Sequence, residues 1–316
     1  MMPDRFSRRA LLGTGAKAAA VAGLGGIPVA YGQEANEADP PEMHWRLALN
    51  ASTIRPAAME EKVRVAAEAG YDGIELWSDE MTRYAEGGGS LRDLGQRIAD
   101  AGLQVPNIIG IWNWMPQDDA ERPAAWEAAR RQLDQAAQVK AQHIAAVPTP
   151  DRDSIDTLWA AERYRELMAL GDEFGITVAF EFVGFLRGVH RLGQAAAIAI
   201  EARRRDACLV ADTFHLYRGG SGFEGVRHLS GDFYAVFHFN DAPADPPQFE
   251  QGDEHRLLPG DGVLPLAQLL RDLREIRFSG VLSLELFNRA LWERPPLEVA
   301  RTGIERMRQL IAASEA

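Results

Sequence analysis

The chain reads as an α/β protein folded into a single (β/α)8 barrel, and three features of its sequence lead there. Short apolar runs alternate with longer amphipathic segments from about residue 44 onward. That order calls for a parallel sheet covered by helices. Eight such repeats can be placed in one stretch, enough to close the sheet on itself. Finally, four successive runs in the second half end on a polar side chain: Glu181 in ITVAFEFVG, Asp212 in ACLVADTFH, His238 in YAVFHFND and Glu285 in GVLSLELFN. The C-terminal edge of such a barrel is where functional side chains converge.

The first segment in order is a leader. Arg8 and Arg9 follow Ser7, and Leu11 and Leu12 open an Ala/Gly-rich stretch that runs to Ala30 and holds Lys17. So weakly apolar a stretch behind an arginine pair suits a twin-arginine signal better than a membrane span. Residues 1–32 are therefore expected to be a signal peptide, with small residues for cleavage around Ala30, Tyr31 and Gly32. A disordered leader on a cytoplasmic enzyme and an uncleaved anchor are the alternatives. Residues 33–43, QEANEADPPEM, read as a polar linker. The barrel is expected over 44–316, in a protein exported to the periplasm or cell envelope with no stable membrane insertion after processing.

Strands are predicted at His44 to Asn50, Gly73 to Trp77, Gln104 to Ile111 and His143 to Val147, followed by the four runs quoted above. Helical patterns fall at about 57–69, 90–101, 120–139, 155–174, 192–204, 222–230, 265–276 and 296–312. Pro56 suits a helix start, where its missing N–H costs little. Trp126, Ala129, Leu133, Ala136 and Ala137 share one helical face. Gly70 is placed to end a helix before the second strand.

Bulk composition narrows the function. With 316 residues and 46% hydrophobic content, the chain suits one barrel plus extras. A net charge of −12 argues against a nucleic-acid groove, which needs clustered Lys and Arg. The single cysteine, Cys208, lies in an apolar run and reads as a small core residue.

The polar strand ends carry the chemistry. A lone buried Glu usually pairs with an Arg, but two Glu, one Asp and one His on four strands form a mixed oxygen and nitrogen site. Such a set suits one divalent cation, Mn²⁺, Mg²⁺, Co²⁺ or Zn²⁺. Two carboxylates beside a cation can also move protons at a carbon next to a carbonyl. Glu75 ends the second strand and is a candidate acceptor for a substrate hydroxyl, or a partner for a barrel Arg. Trp112 and Trp114 follow the third strand, and an aromatic face there can pack on the C–H side of a ring, or on the core or loop. Asp241 in HFND is expected near the same centre. Gly260 and Gly262 in PGDG shape a long loop rather than cradle a phosphate.

Five segments resemble the xylose-isomerase-like sugar isomerases and epimerases, particularly their inosose isomerase branch: EFVG from Glu181, DTFHLYRGGS from Asp212, HFNDAP from His238, HRLLPGDGVLPL from His255 and FSGVLSLELFN from Phe278. The resemblance covers about residues 45 to 312 and implies a TIM barrel. It implies Glu181, Asp212, His238 and Glu285 as metal ligands, with Glu181 and Glu285 also the acid–base pair. It implies His215 at a substrate oxygen and Arg256 ahead of the P-G-x-G turn. A base other than the two Glu, a His215 that only orients Asp212, and a solvated Arg256 are the competing readings. The function so implied is a metal-dependent isomerase or epimerase of a small keto-polyol, an inosose or ketose, with proton transfer through an enediolate held by the cation. A lyase or dehydratase acting on a 3-keto sugar is the alternative, then a non-catalytic sugar-binding barrel. A three-zinc DNA-repair endonuclease would need more than the seven His present. A small carbohydrate is the expected partner, without nucleic acid; a homo-oligomer is left open.

Overall fold

The computed structural model describes residues 44–315. The expected leader and linker lie outside the described residues. The elements run β1 (Arg46–Asn50), α1 (Met59–Ala69), β2 (Gly73–Trp77), α2 (Ser78–Glu86), α3 (Leu91–Asp100), β3 (Asn107–Ile111), α4 (Arg122–Gln138), β4 (His143–Ala146), α5 (Thr157–Asp172), β5 (Thr177–Glu181), α6 (Leu192–Glu201), β6 (Cys208–Asp212), α7 (Thr213–Arg218), β7 (Tyr234–His238), α8 (Leu266–Glu275), β8 (Val281–Leu284), α9 (Arg289–Trp292) and α10 (Pro296–Ala313). Each strand pairs in parallel with the next, and β1 pairs with β8 to close the barrel.

Local chemistry sets the element ends. Asp156 caps α5 by accepting from the Trp159 N–H at 2.7 Å. The first helix stops at Gly70, whose φ of +85° is a left-handed conformation that a Cβ would strain. Leu91, Leu94 and Ile98 bury one face of α3 at helical spacing.

The core has two layers. Between strands and helices lie the large side chains, among them Phe180, Phe182, Phe214, Phe237 and Phe278. Inside the barrel lie mostly small ones: Ala48, Ile109, Ala145, Ala179, Cys208, Val210, Val236 and Val281. Strand alternation then fixes the site. Asn50, Glu181, Asp212 and His238 each follow an inner-layer residue by two positions, so they face the same interior one layer nearer the mouth. The register sets Asp212 beside His238, and Asn50 beside Glu75.

One expected helix is absent. Residues 222–230 hold only a 3-10 turn, Val226–His228, because Gly219, Gly220 and Gly222 break the segment. The helix after β6 begins at once as α7, capped by Asp212, whose carboxylate accepts from the N–H groups of Phe214 and His215. The second and ninth helices were not expected either. Among the described residues no helix is long and apolar enough to cross a membrane.

Candidate active site

Five strand ends, those of β2, β5, β6, β7 and β8, bring four carboxylates and one imidazole together at the mouth. His238 is fully buried. Its Nε2 lies 3.2 Å from Glu75 Oε2, so Nε2–H donates there and the Nδ1 lone pair faces the other way. Three carboxylate oxygens surround that Nδ1: Glu285 at 3.2 Å, and Glu181 and Asp212 at 3.5 Å each. Nδ1 itself has no hydrogen-bond partner. A buried nitrogen lone pair among three carboxylates is repulsive unless a metal ion stands between them or Nδ1 takes up a proton. The donor set fits a divalent ion, and Asp212, His238 and Glu285 offer ligand atoms within 4.8 Å of one another. Glu181 reaches the same point from β5.

Charge bookkeeping shows the same demand. Burial pushes Glu181 up to about 7, against the pull of His238, and the Glu285 and Asp212 charges add to the push. Glu285 is raised as well, again chiefly by burial. Burial pushes His238 down, but the charges of Glu285 and Glu75 outweigh it and hold the ring well above its ordinary value. Without a metal ion, a proton on His238 supplies part of the missing positive charge.

Arg256 supplies the rest. It sits on the long loop after β7 yet is 1% exposed, sandwiched between Phe214 and Phe287 with its guanidinium carbon 5.1 Å from each ring centroid. Its Nη1 donates to Asp212 Oδ2 at 2.5 Å and Glu285 Oε2 at 2.8 Å. Asp253 Oδ1 accepts from Nε and Nη2 and fixes the plane of the fork. Asp212 is thereby held well below the usual carboxylate range: burial raises it, but Arg256 and then His215 outweigh that.

His215, on α7, places Nε2 3.3 Å from Arg256 Nη2. Its Nδ1 is buried without a hydrogen-bond partner. Burial drives the ring down to about 4, so it is neutral at pH 7 and offers that nitrogen to an incoming group.

Glu75 is placed differently from a substrate contact. It is 0% exposed, and its oxygens accept from Asn107 Nδ2 at 2.9 Å, Asn50 Nδ2 at 3.2 Å and His238. It lies beneath His238 and orients it. Burial raises its carboxyl, and the positive His238 ring more than reverses that. Trp112 stands at the rim, 38% exposed, while Trp114 is buried with Nε1–H donating to the Val147 carbonyl at 2.7 Å. Asp241 does not touch the carboxylate cluster in any hydrogen bond. Its carboxylate accepts from the backbone N–H groups of Ala242, Gly260, Gly262 and Leu264, and so ties down the loop that carries Arg256.

Sequence reading passed over two residues. Asn50 donates to Glu285 Oε1 at 3.0 Å as well as to Glu75, and Asn240 donates to Asp212 Oδ1 at 3.3 Å. The available signal was strand parity: Asn50 ends β1, and Asn240 lies two residues beyond His238.

Comparison with known proteins agrees with this architecture. The family model described as "Xylose isomerase-like TIM barrel" matches residues 63–310. Inosose isomerase of Bacillus velezensis is 25% identical over 261 residues, 81% of this chain and 92% of that protein. A 3-dehydroshikimate dehydratase of Pseudomonas aeruginosa is 24% identical over 75% of this chain and 37% of its own length. The crystal structure of the IolI protein with a zinc atom superposes with a TM-score of 0.79 at 23% identity, covering 85% of this chain and 99% of that one.

Proposed function

The chain belongs to the xylose isomerase-like TIM barrel family, and from that premise we propose that it is a divalent-metal-dependent isomerase or epimerase of a small keto-polyol. The observation that carries the reading is the partnerless Nδ1 of His238 inside three carboxylates. Glu181, Asp212, His238 and Glu285 are the ligands in this reading, for Mn²⁺, Mg²⁺, Co²⁺ or Zn²⁺. The inosose isomerase relative and the zinc in the superposed structure support it.

When bound, the ion polarises a carbonyl and its neighbouring hydroxyl as a Lewis acid. The chain's own residues do the rest. Glu181, on β5, and Glu285, just after β8, reach the centre from separate strands, so one carboxylate can take the α-proton and the other return it. Arg256 lies against Glu285 and Asp212, where it can offset negative charge developing on the substrate oxygens. Neutral His215 presents Nδ1 to a hydroxyl. Asn50 and Glu75 hold Glu285 and His238 in place.

A lyase is the second reading, favoured by the dehydratase relative. Elimination begins with the same proton abstraction and differs in the group that leaves. NMR of an inosose, a ketose and a 3-keto sugar in D₂O with metal-loaded protein separates the two. Deuterium gain with an isomeric product supports the isomerase, loss of water supports the lyase, and no exchange with any of them overturns both.

We also propose export of the folded protein by the twin-arginine route, from Arg8 and Arg9. Replacing both with Lys is expected to leave the protein in the cytoplasm; unchanged envelope localisation in a fractionation assay overturns the route.

A further inference from the structure

A second pocket opens beside the mouth, outside the carboxylate cluster. It has a volume of about 570 Å³ and is lined by Trp77, Trp112, Arg55, Asp79, Arg83 and Gln132, among others. Trp77 joins the pocket to the centre. It lies two residues after Glu75 on β2, packs on the inner barrel layer, and donates from Nε1 to Asn50 Oδ1 at 2.8 Å. The same Asn50 donates to Glu285. Two side chains, Trp77 and Asn50, thus stand between the pocket and Glu285 of the proposed acid–base pair.

Trp112 is presented outward by a built turn. Asn113, next in the chain, has a φ of +56°, a conformation asparagine tolerates better than most residues. Its N–H is held by Thr149 Oγ1 at 2.7 Å, and Trp114 is anchored in the core beyond it. The turn leaves Trp112 as a large apolar face at the edge of a polar pocket. Across from Trp112 stands a polar set. Asp79 is shared between Arg83 at 2.8 Å and Arg55 at 3.5 Å, and the Arg55 guanidinium lies over the Trp77 ring, 4.9 Å from its centroid. The exposed Trp112 face opposite forked donors and acceptors matches a pyranose ring, which has apolar C–H faces and a girdle of hydroxyls.

We propose that this pocket is a subsite for a second sugar ring, so that the substrate is a keto-disaccharide or related keto-glycoside rather than a free monosaccharide. The proposal rests on the reading of the metal centre given above, which places the reacting ring at Glu181 and Glu285. A ring in the subsite makes contacts remote from the reacting carbon and holds the substrate in register.

Two measurements test it separately. In the full, Zn²⁺-loaded chain, the indole N–H signals of Trp77 and Trp112 are followed by NMR with cellobiose, maltose or trehalose, and with glucose as control. At least one disaccharide is expected to shift both signals at concentrations where glucose shifts neither, and Trp112→Ala is expected to weaken that binding about tenfold. No shift with any disaccharide, or equal shifts with glucose, overturns the subsite. The second measurement is solvent-deuterium exchange into the 3-keto derivative of the binding disaccharide and into 3-keto-glucose. The disaccharide is expected to exchange with a kcat/KM about tenfold higher, mostly through KM, and Trp112→Ala to collapse the preference. Equal rates overturn the proposal even where the disaccharide binds. Disaccharide binding without exchange on either compound overturns the catalytic reading of the centre instead, and leaves the pocket as a sugar-binding site.

Discussion

At Glu181, burial and the neighbouring carboxylates push the carboxyl up against the pull of His238, and the balance can be read from outside. In metal-free protein its value rises from the ordinary 4.5 to about 7. The folded state therefore keeps a proton that the unfolded chain releases. The stability this contributes is complete below about 4.5 and is lost as pH rises to about 7, on the order of 3 kcal/mol. His215 acts in the opposite sense, because its folded value of about 4 lies below the ordinary 6.5. Comparing wild type with Glu181→Gln by urea unfolding in the presence of chelator isolates the first effect. The difference in stability is expected to shrink from pH 4.5 to 7, and a difference flat in pH refutes the assignment. In catalysis, Glu181→Gln and Glu285→Gln are each expected to lower turnover by about 10²–10⁴-fold with a smaller change in KM. Metal content measured alongside separates lost ligation from lost proton transfer. Glu75→Gln acts one step away. It keeps the hydrogen-bonding shape under His238 but removes the charge, and is expected to cost about 10–100-fold in metal affinity, measured by chelator competition.

Among the elements, the loop between β7 and α8 is the most exposed to a single change. Asp241 accepts four backbone N–H groups there, and a two-way backbone bridge joins Asp241 to Leu257, the neighbour of Arg256. A side chain at Gly262 would run into the Ala242 carbonyl and the Asp241 carboxylate. Asp241→Ala leaves those donors unpaired, at about 1–3 kcal/mol for each that stays buried. It is expected to speed hydrogen exchange across 241–264 and lower kcat/KM, while the exchange of β1 to β5 stays slow. Uniformly faster exchange would mean that the residue supports the whole barrel. This clamp was not legible in the sequence. The segment HFND places Asp241 three residues from His238, and proximity in the chain suggests the metal, whereas three of its four N–H partners lie 19 to 23 residues ahead. The strands were legible because their buried apolar runs are bounded by polar loops. Their polar ends were legible because a charged residue at the end of such a run is conspicuous. Asn50 was not, since an uncharged amide at a strand end looks like turn chemistry. The helix expected at 222–230 failed for a local reason. Gly219, Gly220 and Gly222 interrupt the apolar spacing there, and α7 is hidden because Asp212 is both strand end and helix cap.

For the molecule as a whole, the ion is expected to bind only the folded state. Adding Zn²⁺ or Mn²⁺ at about 100 times its dissociation constant is expected to stabilise the barrel by about 2.7 kcal/mol, seen as a rise in Tm that chelator reverses. Cys208 reports the same transition. Burial inside the barrel pushes its thiol up to about 12, and no other cysteine competes for reagent. Its alkylation is expected to follow global unfolding and to slow when metal is added; fast labelling of native protein would show that the barrel opens locally. The seam between β1 and β8 bears on the order in which the molecule can be assembled. All four proposed ligands lie from β5 onward, but Asn50, which steadies Glu285, comes from β1, and Glu75, which steadies His238, comes from β2. Thr53 closes the same seam by donating to the Leu284 carbonyl, 231 residues away. A C-terminal half-barrel therefore carries every ligand and neither of these two supports. On the ribosome, the first strand made must wait for the last one before the centre takes shape, so metal capture is expected of the finished chain and not of the growing one.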